Sequence, residues 1–245
     1  MRNEGTFTFG EAHSRDYRII LTKTPPHICA ERDVESIGLA GRSGDLTRDN
    51  GRYKNVQIPY ECAIIPERTR LLREAASDAI LLLKSTAAYY RLANSFYPGT
   101  YRMARISKQV SVESVVEKAG KFTIEFDCKP QRFLVDGEFP VKFTAPGSLY
   151  NPTTEIAQPL ITIRGSGSGR LTVGDITVEV KQLEDQITLD SDLQDAYRQV
   201  GDGAPENKNS CIYAPDFPVL VPGKNTISWT GGITSVEIIP RWWTL

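Results

Sequence analysis

Few residues in this chain of 245 have types and spacing that could do chemistry, and each sits in a pattern that argues against it. Gly165-Ser166-Gly167-Ser168-Gly169-Arg170 has the look of a loop whose glycines let backbone N–H groups close on a phosphate. A dinucleotide loop needs a third glycine at the sixth position and a helix after it, whereas Arg170 stands there and a strand pattern follows. A P-loop needs Lys and then Ser or Thr after its last glycine, and neither is present. The motif is therefore expected to be a flexible hairpin loop. Asp190-Ser191-Asp192 with Asp195 gathers oxygens that suit a hard cation, but no glycine follows and no glutamate closes the loop as an EF-hand requires. A solvated acidic loop is the expectation. Glu31, Asp33 and Glu35 alternate along one segment. Glycoside hydrolysis wants two carboxylates roughly 5–10 Å apart across a cleft, so three on one strand face read as a wet face. A Ser-His-Asp triad would have to use His13, in a polar turn, or His27, after two prolines. Neither has the strand–Ser–helix elbow that exposes a nucleophile. No catalytic, cofactor-binding or metal-binding residue is expected, and the chain is not expected to be an enzyme.

Aromatic residues near the C-terminus are a better lead. Trp229, Tyr213, Phe217, Trp242 and Trp243 offer flat apolar rings with polar edges, which suit a sugar. A β-sandwich core needs such rings too. Trp242 and Trp243 are adjacent and in a strand would point to opposite faces. Trp229 and Trp243 are the candidates for sugar stacking.

Composition bounds the rest. Apolar residues make up 40% and charged residues 24%, as in ordinary globular proteins. The longest apolar run, Ala79 to Leu83, is far short of the roughly 20 residues of a membrane span. The N-terminus lacks the apolar stretch of a secretory signal, so a soluble protein made in a cytoplasm is expected, with no membrane partner. Cys29, Cys62, Cys128 and Cys211 form no close pairs, which argues against zinc and for free, mostly buried thiols. Residues 1–135 carry 21 Lys and Arg against 16 Asp and Glu, a net +5, while residues 136–245 carry 8 against 14, a net −6. The basic residues are too scattered for a sequence-specific nucleic-acid surface.

The elements follow from periodicity. Strands are expected at Ile19–Thr22, Val34–Leu39 and Val56–Ile65, the last at an edge or bulge because Pro59 lies inside it. Glu67 to about Ser85 has the helical period after Pro66. Leu71, Leu72, Ala75, Ala76, Ala79, Ile80, Leu82 and Leu83 fill one half of its wheel. Leu81 falls in the polar half, where it is either simply exposed or a subunit contact. A hairpin is expected around Pro98-Gly99, and Phe122, Ile124, Phe126 and Cys128 alternate with polar residues as in a strand wet on one face. Beyond Val135-Asp136-Gly137, short strands are expected at Pro140–Thr144, Leu160–Arg164, Leu171–Val173, Ile176–Val180, Ile187–Leu189, Thr226–Thr230 and Val236–Ile239. The expected fold class is mainly β with one prominent α-helix. It comprises an N-terminal β domain with helix and hairpin over residues 1–135 and a C-terminal β-sandwich over residues 136–245.

In order along the chain stand Phe7-Thr8-Phe9-Gly10, Ser14-Arg15-Asp16-Tyr17 and Ala40-Gly41-Arg42-Ser43-Gly44-Asp45-Leu46. They are followed by Tyr90-Arg91-Leu92 and Pro98-Gly99-Thr100-Tyr101-Arg102. In the second half come Asn151-Pro152, Pro159 to Ile163, Pro222-Gly223-Lys224-Asn225 and Ile239-Pro240-Arg241-Trp242. This series resembles the distal tail proteins of siphophages that infect Gram-positive bacteria. The resemblance implies a first domain that closes into a homohexameric ring at the virion tail tip, encoded by a phage or prophage. It also implies a second domain similar in fold to galectins and carbohydrate-binding modules. The implied partners are the chain itself, the tail tube protein, a tail-associated hub or lysin and, in some phages, a receptor-binding protein or baseplate. The rival reading is a carbohydrate-binding protein that recognises a host surface sugar through the C-terminal sandwich.

Overall fold

The computed structural model describes residues 5–67, 71–82, 84, 87–108, 110, 113–116 and 119–245. The chain divides into two compact units, Met1–Arg132 together with Leu245, and Phe133–Thr244, with the division three residues ahead of the expected boundary.

The first unit runs β1 (Phe7–Phe9), β2 (Ala12–His13), β3 (Ile19–Leu21), β4 (Arg32–Ile37), β5 (Leu46–Tyr53), β6 (Val56–Ile64), α1 (Leu72–Leu82), β7 (Tyr90–Asn94), β8 (Thr100–Ile106), β9 (Glu113–Val116) and β10 (Ala119–Leu134). Its main sheet has the order β2-β1-β7-β8-β10-β6-β3. Gly5, just ahead of β1, bridges Leu21 of β3 and so joins β1 to the far end of this path, which curls the sheet into a barrel. Phe7, Phe9, Tyr60 and Phe126 fill it with ring centroids 5.0–5.9 Å apart, in the edge-to-face and tilted arrangements that ring quadrupoles favour.

Pro59 lies inside β6 with a partner on only one side. Glu61, two residues on, turns its carbonyl to the Thr22 N–H beside β3. Pro59 faces the same way, beyond the last residue that β3 covers, so its missing N–H breaks no ladder. Tyr97-Pro98-Gly99-Thr100 is the expected turn, with Gly99 at φ 82° and the Thr100 N–H donating to the Tyr97 carbonyl.

The helix departs from its expected wheel. Ala75 and Ala79 are buried and Leu72 and Ala76 half-buried, a stripe at i, i+3, i+4 and i+7. Leu71 and Ile80, expected on the buried half, are exposed. Alanines let a helix lie close to its neighbour, and the contact is correspondingly narrow. Leu81 lies within α1, but its side chain, like the expected helix ends at residues 68–70, 83 and 85, is outside the described residues.

The second unit comprises β11 (Val141–Phe143), β12 (Gly147–Asn151), β13 (Leu160–Val173), β14 (Ile176–Asp190), β15 (Asp195–Arg198), β16 (Glu206–Asn207), β17 (Ile212–Tyr213), β18 (Gly223–Ile239) and β19 (Trp243–Thr244). One sheet of order β11-β18-β13-β14-β15-β16, with β12 on β18 and β17 on β14, builds it. Six expected short strands are in fact three long ones. Leu160–Arg164 and Leu171–Val173 are the two halves of β13, and β14 and β18 absorb the other pairs in the same way.

The glycine-rich motif is therefore not a hairpin loop; the hairpin lies at Gly174-Asp175, between β13 and β14. Gly165 to Gly169 is a crease in mid-strand, marked by register shifts against both neighbours. β18 answers it with Gly231 and Gly232, and β14 with Asp185 at φ 69°. A Cβ at Gly165 would stand 2.1 Å from the Gly232 carbonyl oxygen, and one at Gly232 would stand 1.7 Å from that of Ser166. Bulges and glycine let strands turn a corner, so the sheet folds over on itself. Ile161 and Ile163 from one half of β13, and Leu171 and Val173 from the other, then point into one core.

Candidate functional site

The sequence-predicted groups are placed separately. His13 Nδ1 accepts from the Arg15 N–H, where it caps a 3-10 turn. Both ring nitrogens of His27 lie 2.9 Å from the Arg132 guanidinium. Burial first, and then Arg132 and Arg102, hold its pKa below the ordinary imidazole value. The pocket around His27, lined also by Tyr60, Tyr97 and Arg102, has a volume of about 40 Å³. That is room for a few waters. Cys62 and Cys128 are buried, and burial pushes their thiols up to about 12, which makes them inert as nucleophiles. Cys211 is half-buried and Cys29 exposed, against the expectation of mostly buried thiols.

Trp229 and Trp243 are half-buried and pack against the core of the second unit, where the Trp243 indole N–H donates to the Ile156 carbonyl at 3.0 Å. The larger exposed rings of that unit are Phe139, Tyr150 and Tyr213.

Asp190 departs from the expected solvated acidic loop, whereas Asp192 is exposed as expected. It is 4% exposed and takes a two-pronged ion pair from Arg241 at 2.7 and 3.0 Å. One of its oxygens also accepts from the Asp192 and Leu193 N–H groups. The guanidinium stands where a bound cation would have to sit. Burial alone would lift the Asp190 carboxyl, but the Arg241 hydrogen bonds and charge outweigh it and hold it below the usual range.

Asp127 likewise belongs to the half of β10 expected to be wet, yet it is buried. Arg105 Nε donates to it at 2.7 Å, Gln57 at 2.8 Å and Asn55 at 3.0 Å, with the Tyr89 hydroxyl at 3.4 Å. These donors come from β8, β6 and the segments leading into β6 and β7, so one carboxylate ties them together. Burial would raise its pKa; the hydrogen bonds from Arg105 and Asn55 prevail and lower it. Asp127→Asn is expected to destabilise the first unit by about 1–3 kcal/mol, the cost of leaving buried donors poorly satisfied. The urea midpoint reads this directly, and an unchanged midpoint would mean that the donors are as well served by water.

Two motifs quoted for the resemblance turn out to pin loops. The Asn151 side-chain amide donates to the Glu155 and Leu220 carbonyls and its oxygen accepts from the Thr153 N–H. Asn225 bonds Val221 through both its oxygen and its nitrogen. Side chains that replace backbone partners in this way fix a turn.

What remains is a surface feature. Among the described residues, β4 and β5 pair only with each other and form an arm that the barrel sheet does not include. Its base is fastened: the Lys54 N–H donates to the Glu31 carbonyl, Arg32 stacks over Tyr53 at 4.9 Å, and Tyr53 packs on the barrel core. Arg32 holds Asp49 and Arg52 holds Asp33 across the strands, while Lys54 lies 3.8 Å from Glu31. Glu31 and Asp33 thus each face a cation, and Glu35 sits opposite Arg48. Towards the tip the pairing becomes apolar. Ile37 and Leu46 are directly opposite one another, and together with Leu39 they are 41–43% exposed. The tip turns through Gly41 and Gly44, both at positive φ.

A solved structure to which this fold is similar is the Dit protein of phage SPP1, described as a paradigm of the hub adsorption apparatus in phages that infect Gram-positive bacteria. The superposition has a TM-score of 0.74 at 14% identity and covers 98% of this chain and 99% of that one. No family model and no curated protein matches the chain. The distal-tail resemblance read in the sequence is thus matched at the level of fold. Among the described residues, no helix is long and apolar enough to cross a membrane.

Proposed function

We propose that the chain is a structural, non-enzymatic hub protein of a siphophage tail tip. Copies of its first unit close into a homohexameric ring between the tail tube and a tail-associated hub or lysin. The observation that carries this reading is the fold shared with SPP1 Dit across nearly the full length of both chains. The two units both take part in that match, so a lone sandwich borrowed by another kind of protein does not account for it. The polar clusters support the reading as well: Asp127, Asp190, Asn151 and Asn225 all spend their hydrogen bonds on the protein itself. The rival sugar-binding role has no observation of its own, since Trp229 and Trp243 pack against the core.

Closed cyclic symmetry is what a head-to-tail interface yields when its rotation closes. The purified protein is expected to give six-fold rings by negative-stain imaging, and six-fold mass by native mass spectrometry, at high concentration or with tube protein added. Monomer under all of these conditions would refute the ring.

A further inference from the structure

We propose that the pocket beside His27 is a binding site for a carboxylate, held by the buried guanidinium of Arg102. This does not depend on the ring reading above.

Among the described residues three charged groups are buried, Asp127, Asp190 and Arg102. The two carboxylates each take an ion pair, from Arg105 and from Arg241. Arg102, 7% exposed, is answered by carbonyls alone: those of Ile28 and Lys129, each at 3.3 Å, and that of Pro130. Carbonyl dipoles satisfy N–H groups but do not cancel a charge, and a buried charge is costly unless it is paired. Burial accordingly pulls the Arg102 pKa below its ordinary value. The three carbonyls engage Nη1 and Nη2 only. The Nε–H of Arg102 therefore has no acceptor among the described residues.

The pocket is rich in donors and poor in acceptors. Arg102, Arg132, His27 and Tyr60 line it, and no Asp or Glu does. The Tyr60 hydroxyl, on a residue 3% exposed, accepts from the Asn94 amide at 2.9 Å. Its own hydrogen has no acceptor among the described residues. Nearby oxygens are already engaged. Asn94 Oδ1 accepts from the Phe96 and Tyr97 N–H groups, and the Pro25 carbonyl takes the Tyr97 hydroxyl. The His27 ring nitrogens face Arg132.

Sign and size select the ligand. Water could satisfy these donors but would leave the Arg102 charge standing, whereas an anion answers both. The volume of about 40 Å³ has room for a few waters, which suits a flat carboxylate head better than a tetrahedral oxyanion. A carboxylate also presents two oxygens in one plane, the match to a guanidinium fork. Pro26 and His27 in the pocket lining are exposed, so a ligand can enter there without unfolding the barrel.

The test titrates the full-length protein with sodium acetate, and with sodium chloride at equal ionic strength, while NMR follows the arginine Nε–H signals. Acetate is expected to shift the Arg102 Nε–H signal, saturating at a concentration on the order of millimolar, as suits so small a ligand. It is also expected to raise the melt of the first unit, where chloride does not. Arg102→Lys keeps the charge but loses the fork, and is expected to weaken acetate by about tenfold or more. Tyr60→Phe keeps the ring in the barrel and is expected to weaken acetate by about threefold; it decides the matter should the lysine variant fail to fold. A blocked peptide with a single glutamate side chain separates the sources. Binding as tight as acetate assigns the pocket to a carboxylate carried by a protein, and exclusion of the peptide assigns it to a free acid. Acetate no better than chloride, or sulfate as good as acetate, would overturn the proposal, as would acetate binding that neither variant weakens.

Discussion

Replacing Gly232 by alanine is expected to unfold the second unit, or to cost it on the order of 4 kcal/mol or more, the range reserved for backbone conflict. The added methyl would meet the Ser166 carbonyl oxygen at 1.7 Å, and both partners are backbone in neighbouring long strands. No rotamer change relieves the clash; β13 and β18 would have to separate. Gly203→Ala is the matched control in the same unit. Its nearest neighbour is the Val200 carbonyl oxygen at 3.7 Å, and it is expected to shift the melt by no more than a surface substitution does. If the two variants melt alike, the crease is tolerant and the tight approach is not what holds the sheet bent.

Arg241→Ala is expected to cost about 3–5 kcal/mol, because it strands a buried carboxylate whose principal partner is gone. The Asp190 side chain is 6% exposed and the Arg241 side chain 30%, so water cannot easily replace the guanidinium. Arg241 already sits at φ 57°, and alanine inherits the same backbone penalty, which keeps the comparison clean. The pH dependence should change with it. Asp190 and Asp127 both have folded pKa values below the ordinary carboxylate range. Their stabilisation is therefore fully present above the unfolded value, roughly 4, and is lost as pH falls through the folded values. Without Arg241, burial is left to dominate at Asp190 and lifts its pKa. Acid unfolding of the second unit should then begin at higher pH than in the wild type. A loss under about 1 kcal/mol with no change in the acid limb would show that the carboxylate is rehydrated on its own.

The legible parts of the sequence were those governed by local pattern. Phe122, Ile124, Phe126 and Cys128 alternate as read and are all buried. Pro98-Gly99 makes its turn, and the Pro59 rule found the one stretch of β6 with an open side. Where a residue's role depends on a distant partner, pattern gave the wrong environment. Asp127 fits the polar phase of its strand, but donors from three other segments draw it inward. Asp190 looked solvated because Arg241 lies 51 residues away. The crease misled in a different manner. Strand recognition relies on unbroken alternation, and a bend must break it, so each long strand was read as two. Gly231-Gly232, facing Gly165 to Gly169 at a distance of about one strand spacing, was the signal that could have joined the halves. Of the arm, the first strand and a glycine corner were foreseen, but neither β5 (Leu46–Tyr53) nor the projection was, since Val34 to Leu39 has the composition of an ordinary sheet strand.

The crease has a mechanical consequence. In a sandwich of two separate sheets, the layers are held by side-chain contacts and can part as a book opens. Here β13, β14 and β18 each run through both layers, and the same three backbones form the spine. Prising the layers apart would have to straighten three backbones at once at the crease, and sliding one layer over the other would have to shear both hydrogen-bond ladders. Such a unit resists shear as a single plate does, a useful property in any part that must pass a load along without yielding.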